Sequence, residues 1–318
     1  MNRGNEKRTT MRKFHFGTTG LILAVGLLTG SDPASAGKEK GWTPLFNGVD
    51  LSGWDTWLGR PEGGQRAVIQ ARAYAEAAKL PTDQRQKILD SLEQLSQALK
   101  EPIGLNRDPL EVYKVAIVDG QPAIRISGQV FGAITSRDEF ENYHIKLEFK
   151  WGTKKWPPRE DAVRDSGLLY HCVGKHGAAG TFWMRSQECQ IQEKDCGDYW
   201  SVAGGIVDGE GERAGGKGPV VFKRGGQRFT VPSKEAGGLR IVKSPDNERP
   251  TGQWNTVEVL CHGGTSVHVI NGKVNMILTN SRQLVDGKEV PLTRGKIQIQ
   301  SEGAEVFFRT VEMRAIGK

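Results

Sequence analysis

From His144 to Trp151 the chain alternates residue by residue. His144, Lys146, Glu148 and Lys150 are polar, and Ile145, Leu147, Phe149 and Trp151 between them are apolar. Successive side chains of a strand point to opposite faces, so this stretch is a strand with one face for a core and the other for solvent or a ligand. A helix places its apolar residues every third or fourth position, and a period of two excludes it. The same period returns in 186–192, where Glu188, Gln190 and Gln192 share a face opposite Cys189 and Ile191. In 168–172, Leu169 and His171 oppose Leu168, Tyr170 and Cys172; in 296–300, Lys296, Gln298 and Gln300 oppose Ile297 and Ile299. Strands with one greasy face need a second sheet to cover it, which predicts an all-β sandwich.

Thirteen segments read as strands: 112–118, 122–127, 130–135, 143–151, 166–173, 186–192, 219–223, 239–242, 254–260, 265–270, 273–278, 295–300 and 305–316. Asp-Gly or Asn-Gly pairs at 119–120, 271–272 and 286–287 supply hairpin turns between them. No alternating strand–helix series occurs, so a doubly wound α/β fold is not expected. Residues 65–100 differ: Ile88, Leu89, Leu92, Leu95 and Leu99 recur at helical spacing after Pro81, with Thr82 or Asp83 as the expected N-cap. Two helices joined at Pro81 are expected there, an insertion over about 62–101. The stretch 203–218 holds seven glycines and reads as a long loop.

Residues 12–36 carry Arg12-Lys13, a short apolar run over Gly20–Leu28 and Ala34-Ser35-Ala36, the pattern of a cleaved secretory signal peptide. The expected organisation is a leader over 1–36 and one domain over 37–318, exported to the periplasm or outside the cell. The leader's five basic residues against Glu6 and Asp32 leave the +7 chain at about +4 once removed. Its basic residues are dispersed, so no nucleic-acid partner is expected. The run is too short for an ordinary span, so no stable membrane anchor is expected either. Of four cysteines, Cys172 and Cys189 fall on the inferred core side of strands that could be neighbours. A disulfide between them and buried free thiols are both open, and Cys196 and Cys261 are unassigned.

The polar faces are rich in amides, carboxylates and histidines, as on the concave face of a sugar-binding sandwich, although a salt-bridged outer surface reads the same way. The text then becomes specific. Gly41-Trp42-Thr43-Pro44-Leu45-Phe46-Asn47-Gly48 is followed by Leu51-Ser52-Gly53-Trp54, by Tyr143–Gly152 and by Asp165-Ser166-Gly167-Leu168-Leu169-Tyr170-His171. Then come Trp183–Gln192, Gly197-Asp198-Tyr199-Trp200, Val269–Val274 and Gly295–Ser301 before Phe308-Arg309. In this order the segments resemble the 3-keto-disaccharide hydrolase domain family. The resemblance implies a concanavalin A-like jelly roll close to the laminarinase and lichenase type. Those relatives carry two catalytic carboxylates at alternating positions of one strand, whereas here Glu188-Cys189-Gln190-Ile191-Gln192 holds one carboxylate and two amides. The two-carboxylate retaining mechanism lacks its second member on that strand.

What the resemblance implies instead is elimination from a sugar oxidised at C3. The ketone acidifies the C2 hydrogen, a base removes it, the C1 substituent leaves, and water adds to the unsaturated sugar. This needs a base, a group for the C3 oxyanion and a proton donor for the leaving oxygen. The expected base is Glu188 or His171, with Lys150 or a bound divalent metal at the oxyanion. Glu148, Arg185, Gln190, Gln192 and Gln300 are expected to hold hydroxyls, and Trp183 and Trp200 to stack on sugar faces. A divalent ion held by His171 and Glu188 is the expected metal arrangement if one is used. Trp42, Trp54 and Trp254 are expected in the core, and His262 and His268 at the surface. The partner is an oligosaccharide or 3-keto-glycoside. A glycan-binding module without catalysis, and an ordinary β-glucanase, are the competing readings.

Overall fold

The computed structural model describes residues 41–317, so the expected leader lies outside the described residues. The chain opens with two short strands, β1 (Thr43–Pro44) and β2 (Trp54–Leu58), and then leaves the sheet for two helices, α1 (Glu62–Ala77) and α2 (Thr82–Ala98). It returns as β3 (Gly104–Leu105), β4 (Tyr113–Val118), β5 (Gln121–Ile126), β6 (Gly132–Ser136), β7 (Phe140–Glu141) and the long β8 (Tyr143–Lys155). The middle of the chain forms β9 (Asp165–Val173), β10 (Arg185–Gln192), β11 (Tyr199–Val202), β12 (Gly205–Glu212), β13 (Val220–Phe222), β14 (Gln227–Val231) and β15 (Arg240–Val242). Six strands complete it: β16 (Asn255–His262), β17 (Thr265–Ile270), β18 (Lys273–Val285), β19 (Lys288–Pro291), β20 (Arg294–Ser301) and β21 (Ala304–Ala315).

The strands pair into two layers of a concanavalin A-like jelly-roll sandwich. One runs β2–β6–β20–β9–β10–β11–β15 and the other β4–β5–β21–β8–β16–β17–β18, antiparallel throughout. Between them lies the core: Ile134, Leu168, Tyr170, Cys189, Ile191, Ile297 and Ile299 from the first layer, and Ile145, Leu147, Phe149, Trp151, Val257, Val259, Val306 and Phe308 from the second. The alternation seen in 143–151 is therefore real. Each large apolar side chain it sends inward contributes about 2 kcal/mol of burial. The hairpin turns occur where Asp-Gly and Asn-Gly stand, with Asp119, Asn271 and Asp286 at φ 51, 50 and 49° and the following glycines at 75, 76 and 76°. Positive φ at both positions is the two-residue turn that matches strand twist.

The helical insertion is an αα-hairpin between β2 and β3. Pro81 occupies the N-cap position of α2 and Thr82 is already helical, with no side-chain cap bond, so the expected Thr82 or Asp83 cap is not formed. No residue of α2 is fully buried, and Arg72 of α1 pairs with Glu93 of α2 at 2.8 Å. Part of 203–218 is not a loop but strand β12, which pairs with β14 and β18. Its Gly211 leaves no room for a β-carbon, with Val220 Cγ1 and the Val221 carbonyl oxygen both 2.3 Å from where one would stand. Among the described residues no helix is long and apolar enough to cross a membrane.

Candidate active site

Strand register assembles the polar face of the first layer. Gln190 stands opposite Gly167 and Gln192 opposite Asp165, while Glu188 has Leu169 on one side and Trp200 on the other. Trp200 in turn stands opposite Arg240 of β15. β20 places Gln298 opposite Leu169, which brings Gln300 level with Gly167. Paired residues share a face, so Glu188, Gln190, Gln300, Asp165 and Trp200 all point away from the main core. Gly167 is the floor between them. A β-carbon there would lie 2.3 Å from Glu188 Oε1 and 2.3 Å from Gln300 Oε1, so both side chains lean across the space that the glycine leaves.

This floor is drier than an outer sheet face should be. Glu188, Gln190, Gln300 and Asp165 are only 5, 6, 1 and 3% exposed. Burial, reinforced by the charge of Asp165, pushes the Glu188 carboxyl well above the ordinary range, against a hydrogen bond with Gln300 that lowers it. A group that resists ionisation is a strong base once ionised, as proton abstraction from carbon demands. Burial likewise raises Asp165 to about 6, although Arg159 Nη2 lies 2.6 Å from its Oδ2 and Gln192 donates to the same oxygen. Glu302 follows at the end of β20, raised well above the usual range by burial and by Asp165 and Glu188. Three atoms here lack a protein partner: Asp165 Oδ1, Gln300 Oε1 and the indole nitrogen of Trp200. They are two acceptors and a donor with nothing to bond, which is what a polar ligand would satisfy.

The segment between β9 and β10 closes one half of the same face. Leu169, Cys172, Met184 and Val202 form a small apolar cluster, with Trp183 packed against it. Trp183 Nε1 donates to Gly132 O at 3.0 Å and its ring stacks with Phe131, so it is a wall of the site rather than an open platform. Met184 N donates to Gln298 Oε1 at 3.0 Å and pins the segment to β20. The segment is also tied to β2, through Trp57 Nε1 to Thr181 O at 3.0 Å and the Trp57–His176 stack.

Several expected site residues lie elsewhere. Lys150 and Glu148 are on the outer face of the second layer, where Lys150 pairs with Asp119 at 2.9 Å and Glu148 with Arg309 at 3.0 Å. Trp42 and Trp254 stand on that face too, under Lys146 and Arg309 at 4.5 and 4.0 Å, while Trp54 alone of the three is in the core. His171 is displaced by a β-bulge. It has φ 54° and pairing shifts register between Gln187 and Arg185, so Cys172, not His171, shares the face of Leu169. The His171 ring instead packs edge-on against Tyr143 and Tyr170, 1% exposed, and burial lowers it to about 4. The expected metal pair His171 and Glu188 is therefore not brought together. Arg185 is consumed by Ala203 O, Leu284 O and Gln283 Oε1 at 2.9 to 3.2 Å. His268 is fully buried, bonded to Tyr170 and Gly197 O, rather than at the surface. All four cysteines are free and buried, with Cys172 and Cys189 on opposite faces of their sheet.

What the residues alone did not reveal is that carboxylates from β9, β10 and the turn after β20 gather. Arg159 and Asp165 lie six residues apart, but Glu302 is far from both in sequence, and nothing in its neighbourhood points to them. The readable signal was parity: Gln298, Gln300 and Glu302 are successive alternate positions, as are Asp165, Gly167 and Leu169.

Residues 41–314 match the model of one protein family, described as the 3-keto-alpha-glucoside-1,2-lyase-like domain. A search of curated proteins gave no match. Among solved structures, a candidate glycosyl hydrolase from Parabacteroides distasonis is similar over 87% of this chain and 94% of its own, at 17% identity and a TM-score of 0.43. A carbohydrate-binding module, CBM66, from Bacillus subtilis is similar over 63% of this chain and 91% of its own, at 8% identity and 0.38. The β-glucanase of Bacillus licheniformis is similar over 64% and 82% respectively, at 9% identity and 0.31.

Proposed function

This chain belongs to the 3-keto-α-glucoside-1,2-lyase-like domain family, and from that premise we propose that it cleaves 3-keto-glycosides by removing the C2 proton and expelling the C1 substituent. The observation that carries the reading is the meeting of Glu188 and Gln300 over Gly167. A sugar laid on that floor meets one carboxylate suited to take a proton from carbon and amides suited to hydroxyls. Glu188 is the base, since His171 faces the core. Gln300 Oε1 accepts from a hydroxyl, and the Gln190 side-chain amide donates to the C3 oxygen as charge develops there. Trp200 stands across from Glu188 with the Arg240 guanidinium 5.6 Å from its ring centroid and an indole N–H without a protein partner. Water then adds at C1 of the unsaturated sugar, for net hydrolysis.

The expected leader makes the protein exported, and its removal after Ala36 would be read as the mass of the secreted chain. For the activity, the purified protein is given a 3-keto-disaccharide and, separately, its unoxidised parent, each with and without chelator. Consumption of the oxidised sugar alone, lost by at least about 100-fold in Glu188→Gln, supports the reading. Tight binding of a glycan with no consumption under any condition would replace it with a glycan-binding module. Release of reducing sugar from unoxidised β-glucan would replace it with a β-glucanase. Loss of turnover on chelation, restored by a divalent ion, would add a metal at the oxyanion.

A further inference from the structure

Elimination leaves one role unfilled, the proton for the departing oxygen, and β10 holds no second carboxylate. The neighbouring strands do. Glu302 extends the row of Gln298 and Gln300, while Ser301 between them turns its hydroxyl the other way, to Val130 O at 2.7 Å. Glu302, the residue just past β20, lies close enough to Asp165 and Glu188 for their charges to act on it and within reach of Arg159. Arg159 reaches over this end. Its Nη2 is 2.6 Å from Asp165 Oδ2 and its Nη1 3.9 Å from Glu302 Oε1, while the other Asp165 oxygen is buried and unpartnered. One guanidinium thus serves two carboxyls, close to Asp165 and more distant from Glu302. Asp165 takes the close contact with Arg159; with Asp165 charged and Glu188 ionised, burial and the two charges favour a protonated Glu302, against the pull of the more distant guanidinium. The Glu302 side chain is 15% exposed, more than Glu188, Gln300 or Asp165 beside it.

We propose that Glu302, set beside the Asp165–Arg159 pair, hands its proton to the departing glycosidic oxygen and completes the acid–base pair. This rests on the elimination reading above. As Glu188 accepts the C2 proton, the C–H electron pair passes through the enolate into a C1=C2 bond. The C1–O bond breaks with its electrons on oxygen, and the O–H bond of Glu302 breaks as the leaving oxygen takes the proton. The protein is left with protonated Glu188 and ionised Glu302. Hydration runs the pair in reverse: Glu302 takes a proton from the water that adds at C1, and Glu188 returns one to C2. Both groups are thereby restored. Asp165 and Arg159 are positioning residues, since they act through Glu302.

The test compares two 3-keto-glucosides, one with a sugar leaving group and one with 4-nitrophenol, which departs without a proton. Glu302→Gln is expected to lose at least about 100-fold on the first and less than about tenfold on the second. In D2O it is expected still to exchange the C2 hydrogen of the sugar substrate. Glu302→Asp is expected to recover part of the loss, which separates acid chemistry from misfolding. Equal losses on both leaving groups, or none on either, would overturn the role of Glu302 while leaving the elimination reading intact. Failure of the unaltered protein to consume either substrate would sink the elimination reading, and this assignment with it.

Discussion

Gly167 and Glu188 exclude one another's alternatives. The carboxylate oxygen lies 2.3 Å from the place where a β-carbon on residue 167 would stand. A methyl group there must displace Glu188 or Gln300, and both are held in a packed, buried face. Gly167→Ala is expected to lower kcat/KM on a 3-keto-disaccharide by about 100-fold, because a misplaced base costs that much. The fold should pay only the usual penalty for overpacking, about 1–3 kcal/mol. Steady-state kinetics beside thermal unfolding would show it, and an alanine variant with full turnover would remove Gly167 from the site.

His171 and His268 are both lowered to about 4 by burial. In the unfolded chain each titrates near 6.5, so the unfolded state gains protons first as pH falls and stability is lost between about 6.5 and 4. Asp165, raised to about 6, moves stability the other way over the lower part of that range. The difference between the unaltered chain and His171→Phe isolates the histidine. Between pH 7.5 and pH 5 the unaltered chain is expected to lose about 2 kcal/mol more than the variant in urea unfolding. Parallel pH curves for the two proteins would show that His171 ionises freely in the folded state.

Lys150 and Glu148 bear on surface cohesion, not on chemistry. Lys150→Ala is expected to leave turnover of a 3-keto-glucoside unchanged and to shift stability by less than about 1 kcal/mol, as for half-exposed ion pairs. A large fall in kcat would return Lys150 to the oxyanion.

With four buried free thiols, the native protein is expected to react with none of a thiol reagent over minutes and with four equivalents after denaturation without reductant. Burial raises Cys172 above its usual range and Cys261 to about 12, which keeps both from forming thiolate. Two equivalents in denaturant would reveal a disulfide formed after export.

The faces of single strands were legible because alternation is local, and β8 and β10 follow it throughout. The sheet to which a strand belongs was not, since pairing between distant segments leaves no mark on either. Lys150 and Glu188 looked like partners on equal evidence, and only register separates them. At His171 one extra residue in the strand reversed the parity of everything after it, placing Cys172 where the histidine was expected. The carboxyl cluster was hidden for a related reason: Asp165 begins β9, Glu188 lies within β10 and Glu302 stands just past β20, and nothing in the sequence announces that these places converge.

The helical hairpin has a consequence for how such chains change over time. It leaves the sandwich after Leu58 and rejoins it at Gly104, which pair with each other as neighbours in β2 and β3. A length of chain whose two ends are already bonded together can grow, shrink or be exchanged without moving the register of any strand around it. Variation between lineages should therefore concentrate between these two residues, while Gly167 and the strands beside it stay fixed.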